Sequence, residues 1–309
     1  MFMGKNKYIW IVLWGLGITT ARAEISQTDL PSLTVGTIGL ETENAADIWG
    51  ENPNADEVIR QIKDCASLDF NDEERAILKS VLMADVGGIR SLEEKSDEYL
   101  SARMSTLMAQ GLFREVVWLT DKIPEKQWTK DIKQKRAEAL FGEGFVQAAC
   151  AEDLMTAFGD EEGFVRAVCA DMTGVPPASA LAYEVYRESG LDTHPFLNAA
   201  GEVLYRNLLP TLPEGDLSVW EVPTVIKAYG DEVLNQPLPR RILLTMINNE
   251  TVPHEIRLKA QKRLKEPSKS EKADGFVLDH LSEWAQLRTK VDRLFPASRR
   301  TEKNRVGSD

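Results

Sequence analysis

From Pro53 onward, apolar residues recur at spacings of three and four, a period that leaves little room for anything but helix. Val58, Ile59, Ile62, Cys65 and Ala66 form one stripe, and Ile77, Leu78, Val81 and Leu82 form the next. Amphipathic segments of about 10–20 residues follow one another, separated by short breaks rich in Gly, Pro or Asp. No alternating run of useful strand length interrupts them, so the pattern predicts an all-α chain. Helix starts point the same way. Asn71 with Glu74, Ser91 with Glu94, and Ser218 with Glu221 each place a capping side chain three positions before a Glu that can reach back to it.

The flanks differ from this body. Residues 24–52 are rich in Thr, Gly, Ser and Pro and predict an extended N-terminal segment. The helical body is expected over 53–266, with breaks such as Gly190–Pro195, a resumed stripe through Phe196, Leu197, Ala200, Val203, Leu204 and Leu208, and helices near 218–229, 238–249 and 253–265. Residues 267–275 read as a linker. Over 276–295, Val277, Leu281, Trp284, Val291 and Leu294 fall at helical spacings and predict a C-terminal amphipathic interaction helix. Pro296 stops it, and 296–309 has the composition of a disordered tail.

The first residues carry an address. Lys5 and Lys7 precede an apolar run from Tyr8 to Ile18, and Ala21-Arg22-Ala23 supplies the small-x-small pattern of a cleavage site. Residues 1–23 are therefore expected to be a signal peptide, removed to leave Glu24 at the N-terminus. The apolar run is about half the length a spanning helix needs. No cysteine precedes Cys65, so nothing near the new terminus could be acylated. The expected location is the periplasm or beyond it.

Charge narrows the ligand class. Residues 1–23 hold three bases and no acid, so their removal takes the net charge from −12 to −15. Arg257–Asp309 has 14 Lys+Arg against 8 Asp+Glu, net +6, which leaves −21 on residues 24–256. An acidic body with a basic end argues against nucleic acid, which needs a concentrated basic face. It allows at most a peripheral contact of the basic end with anionic lipid.

A repeat runs through the middle. Gly111-Leu112-Phe113-Arg114-Glu115-Val116 and Gly144-Phe145-Val146-Gln147-Ala148-Ala149 share a Gly followed five positions later by a small or β-branched residue, at an offset of 33. The same offset applied again lands on Pro177 and Ala182. Met104, Ala137 and Ala170 stand seven positions before each break. Over about 95–190 this resembles the tetratricopeptide repeat, an antiparallel helix pair of about 34 residues with Gly at the turn. The third copy lacks its Gly, and most of the family's Trp, Leu-Gly and Pro positions are absent. The resemblance implies a right-handed superhelix of antiparallel helix pairs, a TPR-like α-solenoid, in which each pair buries its second apolar face on a neighbour.

At whole-chain scale the sequence also resembles a family of exported, repeat-rich helical proteins of alphaproteobacteria. The resemblance rests on Leu30-Pro31 with Trp49-Gly50, the Gly111-Leu112-Phe113 turn, Ala149-Cys150, Phe164 through Val168-Cys169-Ala170, the Gly190–Phe196 break, and Pro253 through Ala260. Members of that family are longer, and the resemblance implies an equivalent of their N-terminal part. The resemblance implies location and architecture and brings no catalytic residues.

Catalytic signatures are wanting. His194, His254 and His280 lie far apart, with no Cys or His partner at metal-ligand spacing, and cap, turn and surface roles account for them. Neither Gly-x-Ser-x-Gly nor a phosphate-cradling Gly-x4-Gly-Lys-Ser/Thr loop occurs. Gly142-Glu143-Gly144 lies between helices and reads as a turn. A calcium loop at Asp69–Glu73 fails because Glu74 stands where the sharp turn requires Gly. Asp160-Glu161-Glu162 could serve a carbohydrate-cleaving pair, but acids also gather at helix N-termini. No metal and no cofactor are expected.

The cysteines give a sharper expectation. Cys150 falls on the second helix of one hairpin and Cys169 on the first helix of the next, at comparable distances either side of a turn at Ala157–Asp160. Antiparallel neighbours would bring them to similar height, and Ala148, Ala149, Ala151, Ala167 and Ala170 permit close approach. A Cys150–Cys169 disulfide is expected, with Cys65 reduced. Two buried thiols acting as small apolar residues are the alternative.

These readings converge on an exported, non-catalytic helical-repeat scaffold or protein-binding module of the periplasm or cell envelope, whose partner is a protein or peptide. The alternative is the helical accessory region of a peptidoglycan-acting or other cell-envelope enzyme, which predicts an acidic cleft holding a Glu of raised pKa in an apolar pocket. A third possibility is a structural protein at a lipid surface.

Overall fold

The computed structural model describes Gly39, Trp49 and residues 54–265, apart from 69, 85–88, 175 and 189–193. The described residues form helices α1 (Ala55–Ala66), α2 (Asp72–Met83), α3 (Ser96–Ala109), α4 (Phe113–Lys122), α5 (Lys130–Gly142), α6 (Val146–Ala149), α7 (Glu152–Met155), α8 (Glu162–Met172), α9 (Pro176–Glu188), α10 (Pro195–Arg206), α11 (Val222–Tyr229), α12 (Arg240–Asn248) and α13 (His254–Leu264). A lone bridge between Asn54 and Arg90 is their only β-type pairing, so no sheet forms among them. The chain is all-α, as its periodicity requires.

Consecutive helices pack as antiparallel pairs: α3 with α4, α4 with α5, α8 with α9, and α12 with α13. The α1 stripe is buried through Val58, Ile59, Ile62 and Cys65, and the α2 stripe through Ile77, Leu78, Val81 and Leu82. The cap predicted at α2 is present in full. The Asn71 side chain accepts the Glu73 and Glu74 amides, and Glu74 Oε2 accepts the Asn71 amide at 2.9 Å. The cap predicted at Ser91 is not. Residues 91–95 form turns with Ser91 at φ +60°, and α3 begins at Ser96 behind Lys95, which makes no side-chain cap bond. A turn held by its own backbone bonds, Leu92 to Ile89 and Lys95 to Leu92, takes the place of the capping box.

The turns at Gly111 and Gly144 close alike. Both glycines are left-handed, at φ +71° and +80°. In the first turn Leu112 N–H bonds Leu107 C=O and Gly111 N–H bonds Met108 C=O; in the second, Phe145 bonds Leu140 and Gly144 bonds Phe141 in the same way. This is the 6→1 and 5→2 closure that ends a helix on a residue without Cβ strain. Both turns press on α12. A β-carbon on Gly111 would collide with Leu244 Cδ1, and one on Gly144 would lie 2.6 Å from the Asn248 carbonyl oxygen. Leu244 and Asn248 are one helical turn apart, so α12 runs across both turns. Beyond Gly144 the next glycines at positive φ are Gly159 and Gly174, so neither falls at the offset of 33, where Pro177 lies within α9.

Two arginines, one buried and one partly buried, strengthen the likeness. Arg103 on α3 donates from Nε to the Leu82 carbonyl at 2.7 Å, at the end of α2, and its guanidinium lies 5.3 Å from the Tyr99 ring. Arg136 on α5 donates to the Val117 carbonyl at 3.2 Å and to the Thr120 hydroxyl, near the end of α4, and lies 5.1 Å from the Trp128 ring. For Arg103 the reason is that a helix C-terminus leaves carbonyls without intrahelical partners, and a cation there also meets the negative end of the dipole.

The apolar interior has two parts. The larger joins α1–α5 with Phe196, Ala200 and residues of α11–α13. The smaller gathers Ala137, Leu140, Phe141, Leu154, Phe158, Phe164, Val168, Leu197 and Trp220 around α5–α8. Two boundaries differ from the sequence reading. α10 ends at Asn207 in a left-handed C-cap, which puts Leu208 beyond the helix and half exposed, and α11 begins at Val222 after a turn at 219–221.

Candidate functional site

Three helix N-termini meet at His194. Glu161, His194 and Glu221 are the N-cap residues of α8, α10 and α11. Pro195, in the first turn of α10, has no amide hydrogen to be satisfied and sets the φ with which the helix begins. Glu161 follows a 3-10 segment, Thr156–Glu161, that kinks at Gly159, where φ is +61°. His194 Nδ1 lies 3.3 Å from Glu221 Oε1, and His194 Nε2 lies 3.5 Å from Glu161 Oε1. These are ion-pair distances without the alignment of a good hydrogen bond. Glu221 is firmly placed from its other oxygen, which accepts the Ser218 amide at 2.8 Å.

Aromatic faces enclose the imidazole. The rings of Phe164 and Trp220 stand edge-on to it, with centroids 4.8 and 4.9 Å away. His194 is 8% exposed and Glu221 1%. Burial opposes a charge on the imidazole, but Glu221 first and then Glu161 outweigh it and hold its pKa above the ordinary histidine value. Glu161 is the open side of the group, with 40% of its side chain exposed.

Glu138 on α5 extends the acidic side. Burial pushes its carboxyl above the ordinary range; the Gln134 amide, donating at 3.1 Å, and the Lys135 charge oppose this, while Glu161 and Asp131 add to it. The charge of Glu161 thus acts on Glu138 of α5 as well as on His194 of α10.

A second polar cluster ties the other ends of the same helices. Asp171 in the last turn of α8 is buried and pairs with Lys227 in the last turn of α11. The Tyr205 hydroxyl, in the last turn of α10, donates to Asp171 Oδ1 at 3.3 Å and shares a hydrogen bond with Ser179 of α9. With N-termini together at one end and these residues together at the other, α8, α10 and α11 run side by side in the same sense.

The predicted disulfide is formed. Cys150 and Cys169 are bonded, with Cα atoms 5.7 Å apart, and Ala149 and Ala167 are buried next to them in sequence. One detail is corrected. Cys150 is the C-cap of the short α6 rather than part of a long second helix, because the chain breaks there and resumes as α7 and the 3-10 segment. Cys65 is free and buried, and burial followed by the charge of Asp64 pushes its thiol up to about 11. It is a packed small residue, not a reactive thiolate.

Other predicted residues take varied places. His254 opens α13 on the surface, as expected of a cap or surface histidine. Glu162 pairs with Arg166 one turn along α8, the ordinary use of an acid at a helix start. Its neighbour Glu161 departs from that role by facing His194. Ala21, Ala23 and Glu24 of the cleavage site, and Val277, Leu281, Trp284, Val291, Leu294 and His280 of the C-terminal segment, lie outside the described residues.

Among the described residues, no group of three or more His, Cys, Asp or Glu side chains is placed to hold a metal ion. Nor is any helix among them long and apolar enough to cross a membrane. No known protein family, curated protein or solved structure matches the chain.

Sequence reasoning missed the His194 group because its members stand far apart along the chain and no spacing rule joins them. The signal available was partial. Glu221 reads as a capping partner of Ser218, and half of that capping box is the bond that fixes its carboxylate.

Proposed function

We propose that this chain is an exported, non-catalytic helical-repeat scaffold that binds a protein or peptide partner in the periplasm or cell envelope. One observation carries the architectural part. The helix turns at Gly111 and Gly144 share the same closure, the same relation to α12 and an equivalently placed arginine, as units of a TPR-like, right-handed α-solenoid would. Stacked helix pairs offer long faces to a partner, and on α9 Leu181 and Val185, one turn apart, are 66% and 61% exposed. The address rests on the expected signal peptide, the charge distribution and the resemblance to exported repeat-rich helical proteins of alphaproteobacteria. Fold alone does not assign a role, so the reading stands or falls on a partner.

The test is site-specific photo-crosslinking in intact cells, with the reactive residue at Leu181 in one strain and at Trp284 of the C-terminal segment in another. A discrete adduct with one envelope protein supports the scaffold. Absence of any adduct at both positions, with the chain present at normal level, defeats it.

The accessory-region alternative has one observation in its favour: Glu138, a carboxyl raised by burial and facing a second carboxyl, Glu161. Purified peptidoglycan sacculi decide it. Cosedimentation that is lost in Glu138→Gln and Glu161→Gln supports a glycan-positioning region, and absence of cosedimentation in the parent removes it.

A further inference from the structure

We infer that His194 is a proton-operated latch joining the N-terminal ends of α8, α10 and α11, closed when the imidazole is protonated and slackened when it is not. The geometry is specific. The imidazole lies between the carboxylates of the N-cap residues of α8 and α11, neither of which makes a side-chain cap bond, while its own carbonyl accepts the Asn198 amide at the start of α10. Each carboxylate is favoured where it stands by the positive end of its helix dipole; the same helix ends disfavour an imidazolium, which is held by the two carboxylates and neutralises one charge of the pair. Protonated, the ring binds the three helix ends to one another through charge. Neutral, it leaves the buried Glu221 carboxylate with the Ser218 amide but without a counter-charge, and a buried unpaired charge is costly.

The charges that act on the ring are both negative, and a cation approaches only the Glu161 side, where Lys130 Nζ lies against Gly159. Of the described residues, Glu161 from the end of the 3-10 segment and Glu221 from the start of α11 are the charged groups facing the ring. Glu138 from α5 faces Glu161. Glu162 of α8 turns to Arg166, and Glu184 of α9 pairs with Arg187. Glu202 of α10 pairs with Arg206, and Lys227 of α11 is engaged by Asp171 at the far ends of the helices.

The direction with pH follows from linkage. A histidine whose folded pKa lies above its unfolded value of 6.5 contributes stability that is whole below about 6.5 and lost as pH rises through the folded pKa. The latch is therefore tight in mildly acidic surroundings and slack in alkaline ones. Slackening frees the start of α11 from α8 and admits water to Trp220, which packs at 6.4 Å against Phe164 in the small core. In an exported chain, which meets the pH of its surroundings, this couples the α8–α11 region to the medium.

The experiment uses the full chain and follows the imidazole carbon and proton resonances from about pH 5 to pH 9. His194 is assigned by its contacts to the Phe164 and Trp220 rings and by its loss in His194→Gln. A midpoint above 6.5 is expected, together with faster exchange of the first-turn amides of α10 and α11 above that midpoint, after correction for intrinsic exchange. In His194→Gln that pH dependence should vanish. A midpoint at or below the ordinary histidine value, or unchanged pH dependence in His194→Gln, overturns the latch. Should that variant fail to fold, Glu161→Gln alters only the exposed partner. It should lower the midpoint, and an unmoved midpoint also overturns the proposal.

Discussion

Arg136 reaches back to α4 as Arg103 reaches back to α2. Each side chain donates to a backbone carbonyl of the preceding helix, Arg103 at its last turn and Arg136 at its middle, and both lie over an aromatic ring. Their separation along the chain equals that of the Gly111 and Gly144 turns. The two arginines differ in burial: Arg103 is fully buried, whereas Arg136 keeps 17% of its side chain exposed and also pairs with Asp121 at 2.7 Å.

That difference sets unequal costs for equivalent truncations. Arg103→Ala leaves buried carbonyls unpaired and empties a filled space, and should lower stability by about 3 kcal/mol. Arg136→Ala opens the Val117 carbonyl to water and should cost about 1 kcal/mol. Urea unfolding of the two variants measures both, and equal losses would contradict the burial argument.

The left-handed glycines separate strain from collision. Gly174 has φ +80° and open space where a β-carbon would go, so Gly174→Ala should cost about 1 kcal/mol from backbone strain alone. Gly144 has the same φ, but its β-carbon would lie 2.6 Å from the Asn248 carbonyl oxygen. Gly144→Ala must also push α12 away and should cost at least twice as much, with a matching drop in thermal midpoint.

For the disulfide, peptide mapping of unreduced protein should find Cys150 linked to Cys169, with Cys65 alkylated only after denaturation. The two cysteines are 19 residues apart. A loop of that size implies a loss of about 3 kcal/mol on replacing both with Ser, by the chain-entropy account. A link through Cys65, or three reactive thiols in the folded protein, would refute the pairing.

Signal cleavage has a direct readout. N-terminal sequencing of exported protein should begin at Glu24, and a mature species that retains Tyr8–Ile18 would overturn the address.

Helix identity, helix order and one capping box were legible in the chain, because they depend on neighbours three and four positions away. The stripe Val58-Ile59-Ile62-Cys65 is buried as its spacing requires, and Asn71 with Glu74 closes α2 as written. The disulfide was legible for a related reason: only 19 residues separate Cys150 from Cys169, and their small neighbours permit close approach. Where local rules compete, the sequence was a poorer guide. Ser91 had the partner for a capping box, yet a backbone-bonded turn holds 91–95, and Leu208 carried the apolar period past the point where Asn207 turns left-handed.

The candidate site was decided by tertiary structure alone. Nothing in the spacing of Glu138, Glu161, His194 and Glu221 brings them together; packing of α5, α8, α10 and α11 around Phe164 and Trp220 does. An acid at a helix start reads the same in sequence whether it faces water, as an ordinary N-terminal charge, or a buried imidazole. Only the neighbouring helix determines which, because local propensity acts over a single turn, whereas burial and charge pairing act between elements that the chain joins through long connections.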